Sequence, residues 1–302
     1  MKRKLNFILW ISWALFSIFL VFKSFEVEET IAPTPPKLDG ELRLMSWNLG
    51  SYCLCSRYFE GVYYKSKAKP QSQRQAIAKT IAEINPDVLC VQELGYDYLE
   101  LFQRELKALN LEYPYFTLLN NLDENRCIAI FSKIPFAKVK QYDDVKFDYQ
   151  DGKFESVRGL ILVKVQDIFI ATLHAKSRRA FEKYPEDKYC EIYRQRELES
   201  FAKILSHYKD EKLILCGDFN EDASHANIKS FKEIANLSQI YQGESSDSWT
   251  YSYKNGKAQN TFDFFLASPT LTPKAQAQAT VHKAYKTASD HRSIYVNILL
   301  DN

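Results

Sequence analysis

The stretch that decides the fold is LILCGDFNED, residues 213–222. Its first four residues are apolar, which is typical of a buried β-strand, and a glycine, a carboxylate, an aromatic ring and an amide follow at once. Gly, Asp and Asn are common in turns, so an ordinary solvent-exposed turn is one interpretation of this ending. The other is that the strand delivers Asp218 and Asn220 to a reactive edge of a sheet.

The composition allows a large, ordered domain. A chain of 302 residues with 46% hydrophobic residues can bury a substantial core. The formal net charge of +2 gives no strong field that would indicate a nucleic-acid or membrane-surface partner. The chain has 19 Tyr and 20 Phe against 9 Gly, which favours an ordered, β-containing domain.

The N-terminal stretch LNFILWISWALFSIFLVF, residues 5–22, contains no charged residue and follows MKRK. It is long enough to span a bilayer, and the flanking charges place the N-terminus in the cytoplasm and the rest outside. Secretion after signal cleavage is the alternative, although no A-x-A-like cleavage site follows. We expect a membrane anchor over residues 1–25, a proline-rich linker over 26–40 and an extracytoplasmic domain over 41–302.

The six cysteines do not indicate a metal site. Cys90 and Cys216 lie inside apolar, strand-like runs and are predicted to be buried thiols. An exported domain can form disulfides, so pairing stays open among Cys53, Cys55, Cys127 and Cys190. The CLC spacing differs from the C-x-x-C of zinc or redox sites.

From residue 41 onward, strand-like runs alternate with a few helical patterns. Helices are predicted over residues 72–85, 190–208 and 224–235. Pro86 ends the first of them, and a hairpin is predicted around Asn255 and Gly256. Most strands follow one another directly, which favours an α+β sandwich over a doubly wound parallel sheet.

Polar side chains recur where the predicted strands end or begin. They are Asn48, Glu93, His174, Asp218 with Asn220, Asp263, and Asp290 with His291. Because one strand ends beside the start of its antiparallel neighbour, all six places can meet at one edge. Each alone has an ordinary explanation, such as a turn, a helix cap, a surface position or a satisfied core histidine. That all six are incidental is far less expected.

Several carboxylates and amide oxygens without thiolates form a site suited to Mg²⁺ or Mn²⁺. With histidines that donate hydrogen bonds to anionic oxygens, such a site is equipped for phosphoryl or phosphodiester hydrolysis. An aspartate beside a histidine favours the charged imidazole. The sequence contains neither a Walker loop nor a G-x-S-x-G elbow, so P-loop nucleotide binding and serine hydrolysis are not supported.

The order of SWNLG, NPDVLCVQE, IAIFSKIP, TLHAKS, CGDFN, FDFFLAS and SDHRSI resembles the endonuclease/exonuclease/phosphatase superfamily, across residues 41–300. Its members include deoxyribonucleases, abasic-site endonucleases, bacterial sphingomyelinases and inositol polyphosphate 5-phosphatases. The resemblance implies metal-dependent phosphoric ester hydrolysis. It also implies an α+β fold, a four-layer αββα sandwich with two mixed β-sheets packed face to face.

Metal and water positions follow from the same resemblance. It implies that Glu93 is the principal Mg²⁺ ligand, with Asn48 and Asp290 nearby in the metal shell. It further implies that Asp218 orients or deprotonates the attacking water, and that Asn220 helps to hold this water or the phosphate.

Phosphate contacts are implied as well. His291 is similar to the family histidine at the scissile phosphate, with Asp263 as its carboxylate partner, and His174 to the second histidine of some members. Arg158 lies where some members have a phosphate-contacting arginine, and a plain surface arginine is the alternative.

The chain departs from the family pattern beside the site. Thr261 and Phe262 replace an arginine-isoleucine pair, Ser293 replaces a proline, and the usual glycine before IAIFSK is replaced in NRC. These departures remove no proposed chemical group, but they leave the substrate class open because neighbouring segments help to form the substrate groove.

Three functions are weighed. The first is an outward-facing, Mg²⁺-dependent nuclease, for which the basic residues of HAKSRRAFEKY either approach the nucleic-acid backbone or form an ordinary solvated loop. The second is a phosphodiesterase for phospholipid or another small phosphoester. The third, an inactive binding scaffold, is disfavoured because every acidic and histidine position is present. No protein partner is indicated.

Overall fold

The apolar runs of the sequence form two six-stranded β-sheets. The computed structural model describes residues 40–240, 242, 248–253, 258–271, 280–282 and 288–300, which belong to one compact unit. In spatial order, the first sheet contains β17 (Thr280–Val281), β18 (Ile294–Leu299), β1 (Glu41–Tyr52), β4 (Val88–Leu94), β6 (Cys127–Ser132) and β5 (Tyr115–Leu119). The second contains β13 (Ser238–Gln239), β16 (Asp263–Ala267), β12 (Leu213–Asp218), β11 (Ile168–His174), β10 (Leu160–Val165) and β7 (Phe136–Tyr142).

Both sheets are mixed. β1 pairs with β4 in parallel, as β11 does with β12, and the other pairings described in these sheets are antiparallel. Three separate hairpins complete the described strands: β2 (Leu54–Phe59) with β3 (Val62–Ala68), β8 (Lys146–Tyr149) with β9 (Gly152–Glu155), and β14 (Tyr251–Tyr253) with β15 (Ala258–Asn260). β14 and β15 flank the predicted Asn255-Gly256 turn, which itself lies outside the described residues.

Four α-helices are described: α1 (Gln71–Ile84), α2 (Leu99–Lys107), α3 (Glu191–Ser206) and α4 (Ala226–Ala235). α1, α3 and α4 confirm the three predicted helices to within two residues at each end. α1 ends as expected, with Asn85 in the left-handed conformation (φ 51°) directly before Pro86. The sequence analysis did not predict α2, which follows a short 3₁₀ turn at Tyr96–Tyr98.

Side-chain packing produces four layers. Apolar residues of both sheets form one buried cluster, so the sheets pack face to face. A second cluster joins the outer face of the first sheet to α1 and α2, and a third joins the outer face of the second sheet to α3 and α4. The two mixed sheets therefore form the expected sandwich, with helices on both outer faces.

The N-terminal prediction falls outside the described residues. None of the helices in the described part of the chain is long and apolar enough to cross a membrane. The stretch 5–22 precedes this part, and the first strand begins at Glu41. Cys90 and Cys216 are fully buried, as predicted, and all six cysteines are free thiols.

Gly217 shows why the strand before the acidic edge needs a glycine. Its φ of +146° is a backbone conformation that L side chains rarely adopt, and a Cβ there would lie 2.1 Å from the carbonyl oxygen of Leu173. Gly217 and Leu173 are paired residues of the parallel strands β12 and β11. The close approach of these two strands thus requires a residue without a side chain.

Replacement of Gly217 by alanine is expected to lower the free energy of unfolding by about 3 kcal/mol, because the methyl group forces the two strands apart. Gly61→Ala is the matched control, since Gly61 also has positive φ (+78°) but nothing lies within 4 Å of its Cβ position. Urea unfolding should show a loss of only about 1 kcal/mol for that variant. Equal losses in the two variants would contradict this account.

Candidate active site

Strand register brings three predicted residues together at the edge of the second sheet. His174, the last residue of β11, pairs with Asp218, the last residue of β12. Asp218 pairs in turn with Asp263, the first residue of β16. All three are at most 2% exposed, so Asp263 is a buried group and not a surface position of an alternating strand.

The first sheet supplies residues from the other side of the sandwich. Asn48 lies within β1 and is buried, so it does not occupy a turn, and its Nδ2 donates to Asp218 Oδ2 at 2.9 Å. Glu93, near the end of β4, adopts φ 62° where the register of the sheet shifts. Its carboxylate accepts hydrogen bonds from the backbone N–H and Oγ of Ser51, at 2.7 and 2.9 Å, and therefore does not serve as a helix cap.

Four side-chain nitrogens surround one oxygen of Asp218. Besides Asn48 Nδ2, they are His174 Nε2 at 3.3 Å, Asn220 Nδ2 at 3.3 Å and His291 Nε2 at 3.7 Å from Oδ2. The backbone N–H of Asn220 donates to the other oxygen, Oδ1, at 2.8 Å. The Asn220 amide also donates to Ala175 O at 3.0 Å, so this residue ties Asp218 to the end of β11.

His291 forms a close ion pair with Asp263, whose Oδ2 accepts from Nδ1 at 2.8 Å. Burial alone would lower the pKa of His291, but the carboxylates of Asp263 and Asp218 raise it to about 10. The imidazole is therefore charged at neutral pH, and its Nε2–H is held toward Asp218. Trp47 fixes this segment by donating from its indole to His291 O at 3.0 Å.

The other two ionisable groups of the cluster shift in different directions. Burial raises the pKa of Asp218, and the charge on Asp263 adds to this effect although His291 opposes it. Burial also holds the pKa of His174 well below its ordinary value, helped by the positive charges of Arg158 and His291. His174 is thus neutral, and it is no satisfied core histidine, because its Nδ1 has no hydrogen-bond partner among the described residues.

The oxygen donors fit a hard divalent cation. Glu93 and Asp290 line one cleft of about 600 Å³, and Oε1 of Glu93 accepts no hydrogen bond from the described part of the chain. Burial would raise the pKa of Glu93, but Arg126 and Arg158 outweigh it and lower the pKa, so the carboxylate is ionised. Such carboxylates suit Mg²⁺ or Mn²⁺. Glu93 and Asp290 are therefore the residues of this cleft that would hold the ion. The ligand role of Asn48 stays a prediction, because Asn48 does not line the cleft and its Oδ1 accepts from the backbone N–H of Gly50 at 3.0 Å.

A second grouping also has the composition of a metal site. Asp218, Asp263 and His291 each offer a ligand atom, and these atoms lie within 4.8 Å of one another. However, Nδ1 of His291 and Oδ2 of Asp263 already bond to each other at 2.8 Å. We interpret this trio as the proton-handling group, next to the oxygen donors of the cleft.

Two arginines, Arg158 and Arg126, place positive charge near the carboxylate of Glu93. Arg158 is only 9% exposed, which rules out a plain surface arginine, and it lies 3.3 Å from Asp123. Its Nε is buried and has no hydrogen-bond partner within the described ranges. Arg126, which the sequence analysis did not single out, contacts the same Asp123 oxygen at 3.4 Å and lies 3.8 Å from Glu93 Oε2.

The basic segment after His174 is mostly committed to contacts within the chain. Arg178 pairs with Glu221 at 2.6 Å, and Lys183 lies 3.5 Å from Asp151. Lys176 Nζ donates to the carbonyl oxygen of Arg179 at 2.7 Å. Arg178 and Lys176 are therefore held by contacts within the chain, whereas Lys183 and Asp151 are both 70% exposed and form an ordinary surface ion pair.

The sequence analysis did not identify several residues that hold the site residues in place. Ser51 holds Glu93, and Thr250 Oγ1 accepts the backbone N–H groups of Phe262 and Asp263, at 3.0 and 2.9 Å. Tyr251 packs its ring 4.8 Å from the ring of His291. Ser51 lies within β1, and Thr250 and Tyr251 stand at the first strand of the predicted hairpin. Neither prediction indicates the contacts that these residues make.

Asp263→Asn is expected to bring the pKa of His291 down from about 10, because burial then outweighs the remaining carboxylate. Nitrogen-edited NMR of the imidazole ring, in buffer without divalent cations, measures this titration. Asp222→Asn is the control, since that carboxylate bonds to Asn260 and Thr261 instead. A ring that titrates alike in the wild type and in Asp263→Asn would refute the ion pair as the cause.

Comparison with known proteins finds similarity in sequence and in fold. Nocturnin of Xenopus laevis is 23% identical over 250 residues, which cover 75% of this chain; the chain spans only 62% of that relative's length. The human Nocturnin catalytic domain with bound sulfate superposes with a TM-score of 0.60 at 21% identity, covering 87% of this chain and 95% of that one. D. rerio TDP2 complexed with single-strand DNA product gives 0.57 at 19% identity, covering 86% and 99%.

A family model described as Endonuclease/Exonuclease/phosphatase family matches residues 45–291, most of the chain. This range contains every residue of the cluster described above, from Asn48 to His291. Enzymes of this family are metal-dependent. The chain belongs to the endonuclease/exonuclease/phosphatase family.

Proposed function

We propose that the protein hydrolyses phosphodiester bonds of nucleic acid with the help of Mg²⁺, for which Mn²⁺ can substitute. The observation that carries this proposal is the charged imidazole of His291 beside the carboxylate of Asp218. Asp290, the neighbour of His291 in the chain, opens onto the same cleft as Glu93. Proton-handling groups and hard oxygen donors therefore stand side by side, as phosphodiester hydrolysis requires.

Different residues of the chain supply the proton acceptor and the hydrogen-bond donors of the proposed reaction. Asp218, whose pKa is raised, accepts a proton from the attacking water, and Asn220 and Asn48 hold its carboxylate in place. His291 and neutral His174 donate hydrogen bonds from Nε2 toward oxygens of the scissile phosphate. A bound divalent cation would add positive charge at the oxygens of the reacting phosphate.

Nucleic acid is the substrate class that we favour. The D. rerio TDP2 structure contains single-strand DNA product, and the human Nocturnin domain contains a sulfate anion, a tetrahedral anion like phosphate. Both proteins share the fold of this chain, which supports a phosphate-bearing polymer as substrate. Phospholipids and small phosphoesters are the alternatives, and they are arms of the experiment below.

We also propose that residues 1–25 anchor the protein in a membrane with the catalytic domain on the extracytoplasmic side. Support comes from the uncharged stretch 5–22 and the basic residues that precede it. The full chain should then remain with the membrane pellet after alkaline carbonate extraction, and a chain without residues 1–25 should not. Release of the full chain by carbonate would contradict the anchor.

Asp218→Asn should lower kcat for Mg²⁺-dependent DNA cleavage at least about 10²-fold, because the water loses its proton acceptor. Plasmid, a single-stranded oligonucleotide and phospholipid vesicles are compared with Mg²⁺ and with EDTA. Asp148→Asn is the matched control, since that carboxylate is 82% exposed on β8 and, among the described residues, bonds to Lys153 alone.

Cleavage that survives EDTA would exclude the metal, and full activity of Asp218→Asn would exclude the assigned base. Hydrolysis of the phospholipid vesicles alone would mean that the same residues act on a lipid substrate. Retained activity of Asp148→Asn is required for any of these interpretations.

A further inference from the structure

The cleft beside the candidate site has a second wall. Besides Glu93 and Asp290, its lining includes Ser56, Arg57 and Tyr58 of β2. The β2–β3 hairpin follows β1 directly and belongs to neither six-stranded sheet. It therefore extends the catalytic edge without adding to the core.

Hydrogen bonds of Arg57 hold the hairpin against the end of β1, next to Glu93. Nη2 of Arg57 donates to the carbonyl oxygens of Ser51 and Cys53, both at 2.8 Å, and its Nε donates to Lys67 O at 2.9 Å on β3. The same Ser51 holds the carboxylate of Glu93. The position of β2 is thus fixed relative to Glu93 through two consecutive sets of hydrogen bonds.

Tyr58 and Tyr63 are directly paired across this hairpin and are unusually exposed. Tyr58 is 76% exposed and Tyr63 52%, and their ring centroids lie 5.1 Å apart with the rings tilted by 50°. Aromatic residues of this size normally bury most of their surface in a folded domain. Here Tyr58 lines the cleft, and the exposed ring of Tyr63 lies beside it.

The charges around these rings suit a polyanion. Residues 54–69 contain four basic side chains, Arg57, Lys65, Lys67 and Lys69, and one acidic side chain, Glu60. Lys69 is buried and donates to Gly50 O, and Arg57 bonds backbone carbonyls, so the exposed Lys65 and the half-buried Lys67 are the cations that can face a ligand. Exposed aromatic rings among basic residues are the combination with which proteins bind single-stranded nucleic acid, through base stacking and backbone attraction. The bases of a duplex are already stacked on each other and do not offer their faces in this way.

We propose that Tyr58 is a stacking platform for an unpaired base next to the scissile phosphate, so that the enzyme acts on single-stranded nucleic acid or single-stranded ends. The platform lies on the Glu93 side of the site, and Tyr63 supports its ring. This inference rests on the proposed function and adds the form of nucleic acid that the cleft accepts.

The test compares Tyr58→Ala and Tyr58→Phe with the wild-type full chain. Substrates are a fluorescein-labelled single-stranded deoxyoligonucleotide, its duplex and bis(p-nitrophenyl) phosphate, with Mg²⁺. Loss of the ring should raise KM for the single strand about tenfold, with kcat and hydrolysis of the small ester unchanged. Tyr58→Phe keeps the ring and should resemble the wild type. Tyr189→Ala is the matched control, because Tyr189 is 64% exposed and does not line the cleft.

Anisotropy of the labelled oligonucleotide in EDTA measures binding without hydrolysis, and Tyr58→Ala should weaken this binding by a similar factor. Equal affinity and equal KM in Tyr58→Ala and wild type would overturn the platform and leave the nuclease proposal standing. The same conclusion would follow if Tyr58→Ala lost binding to phosphatidylcholine vesicles while its affinity for the oligonucleotide stayed unchanged. If the wild type hydrolyses neither DNA nor the small ester, the proposed function itself fails.

Discussion

The buried ion pair between His291 and Asp263 is the interaction on which the site depends. Both side chains are at most 5% exposed, and a second buried carboxylate, Asp218, lies 3.7 Å from the same imidazole. An ionised group in such surroundings costs several kcal/mol unless it is paired and hydrogen-bonded. The positive charge of the protonated His291 imidazole offsets this cost for both carboxylates, Asp263 and Asp218. It also joins the segment before β18, in the first sheet, to β12 and β16 of the second.

Much of the fold could be predicted because its signals are local. Apolar runs that alternate with turns predicted the central strands, and isoleucines at helical spacing predicted α1. α2 was missed although Phe102 and Leu106 stand one turn apart and are buried, because its nine residues are fewer than the window over which helical periodicity is recognised. The β2–β3 hairpin was missed for another reason. Its turn residues Glu60 and Gly61 both have positive φ, which Glu-Gly indicates less clearly than Asn-Gly does.

The clustering of the candidate site residues was predictable because they stand where strands end or begin, and sheet register then brings these ends together. Their supports were not, because each support belongs to a segment far away in the chain. Ser51 meets Glu93 across 42 residues, and Thr250 reaches Asp263 from a segment outside either six-stranded sheet. A residue whose role is to bond a group elsewhere in the chain leaves no periodic pattern in the sequence. Chemistry was therefore more visible in the sequence than the structure that orients it.

The departure from the family pattern at residues 261 and 262 affects the side chains that surround His291. Phe262 stands where the family usually has isoleucine, and its ring stacks on Tyr251 at 5.2 Å, with the guanidinium of Arg178 4.6 Å from its centroid. Tyr251 in turn packs against the ring of His291. Phe262 and Tyr251 thus form an aromatic wall beside the imidazole of His291, and Thr250 holds the backbone N–H of Asp263. Because strand ends fix the reacting groups and side chains between them fix the walls, substrate choice can change while the chemistry is retained.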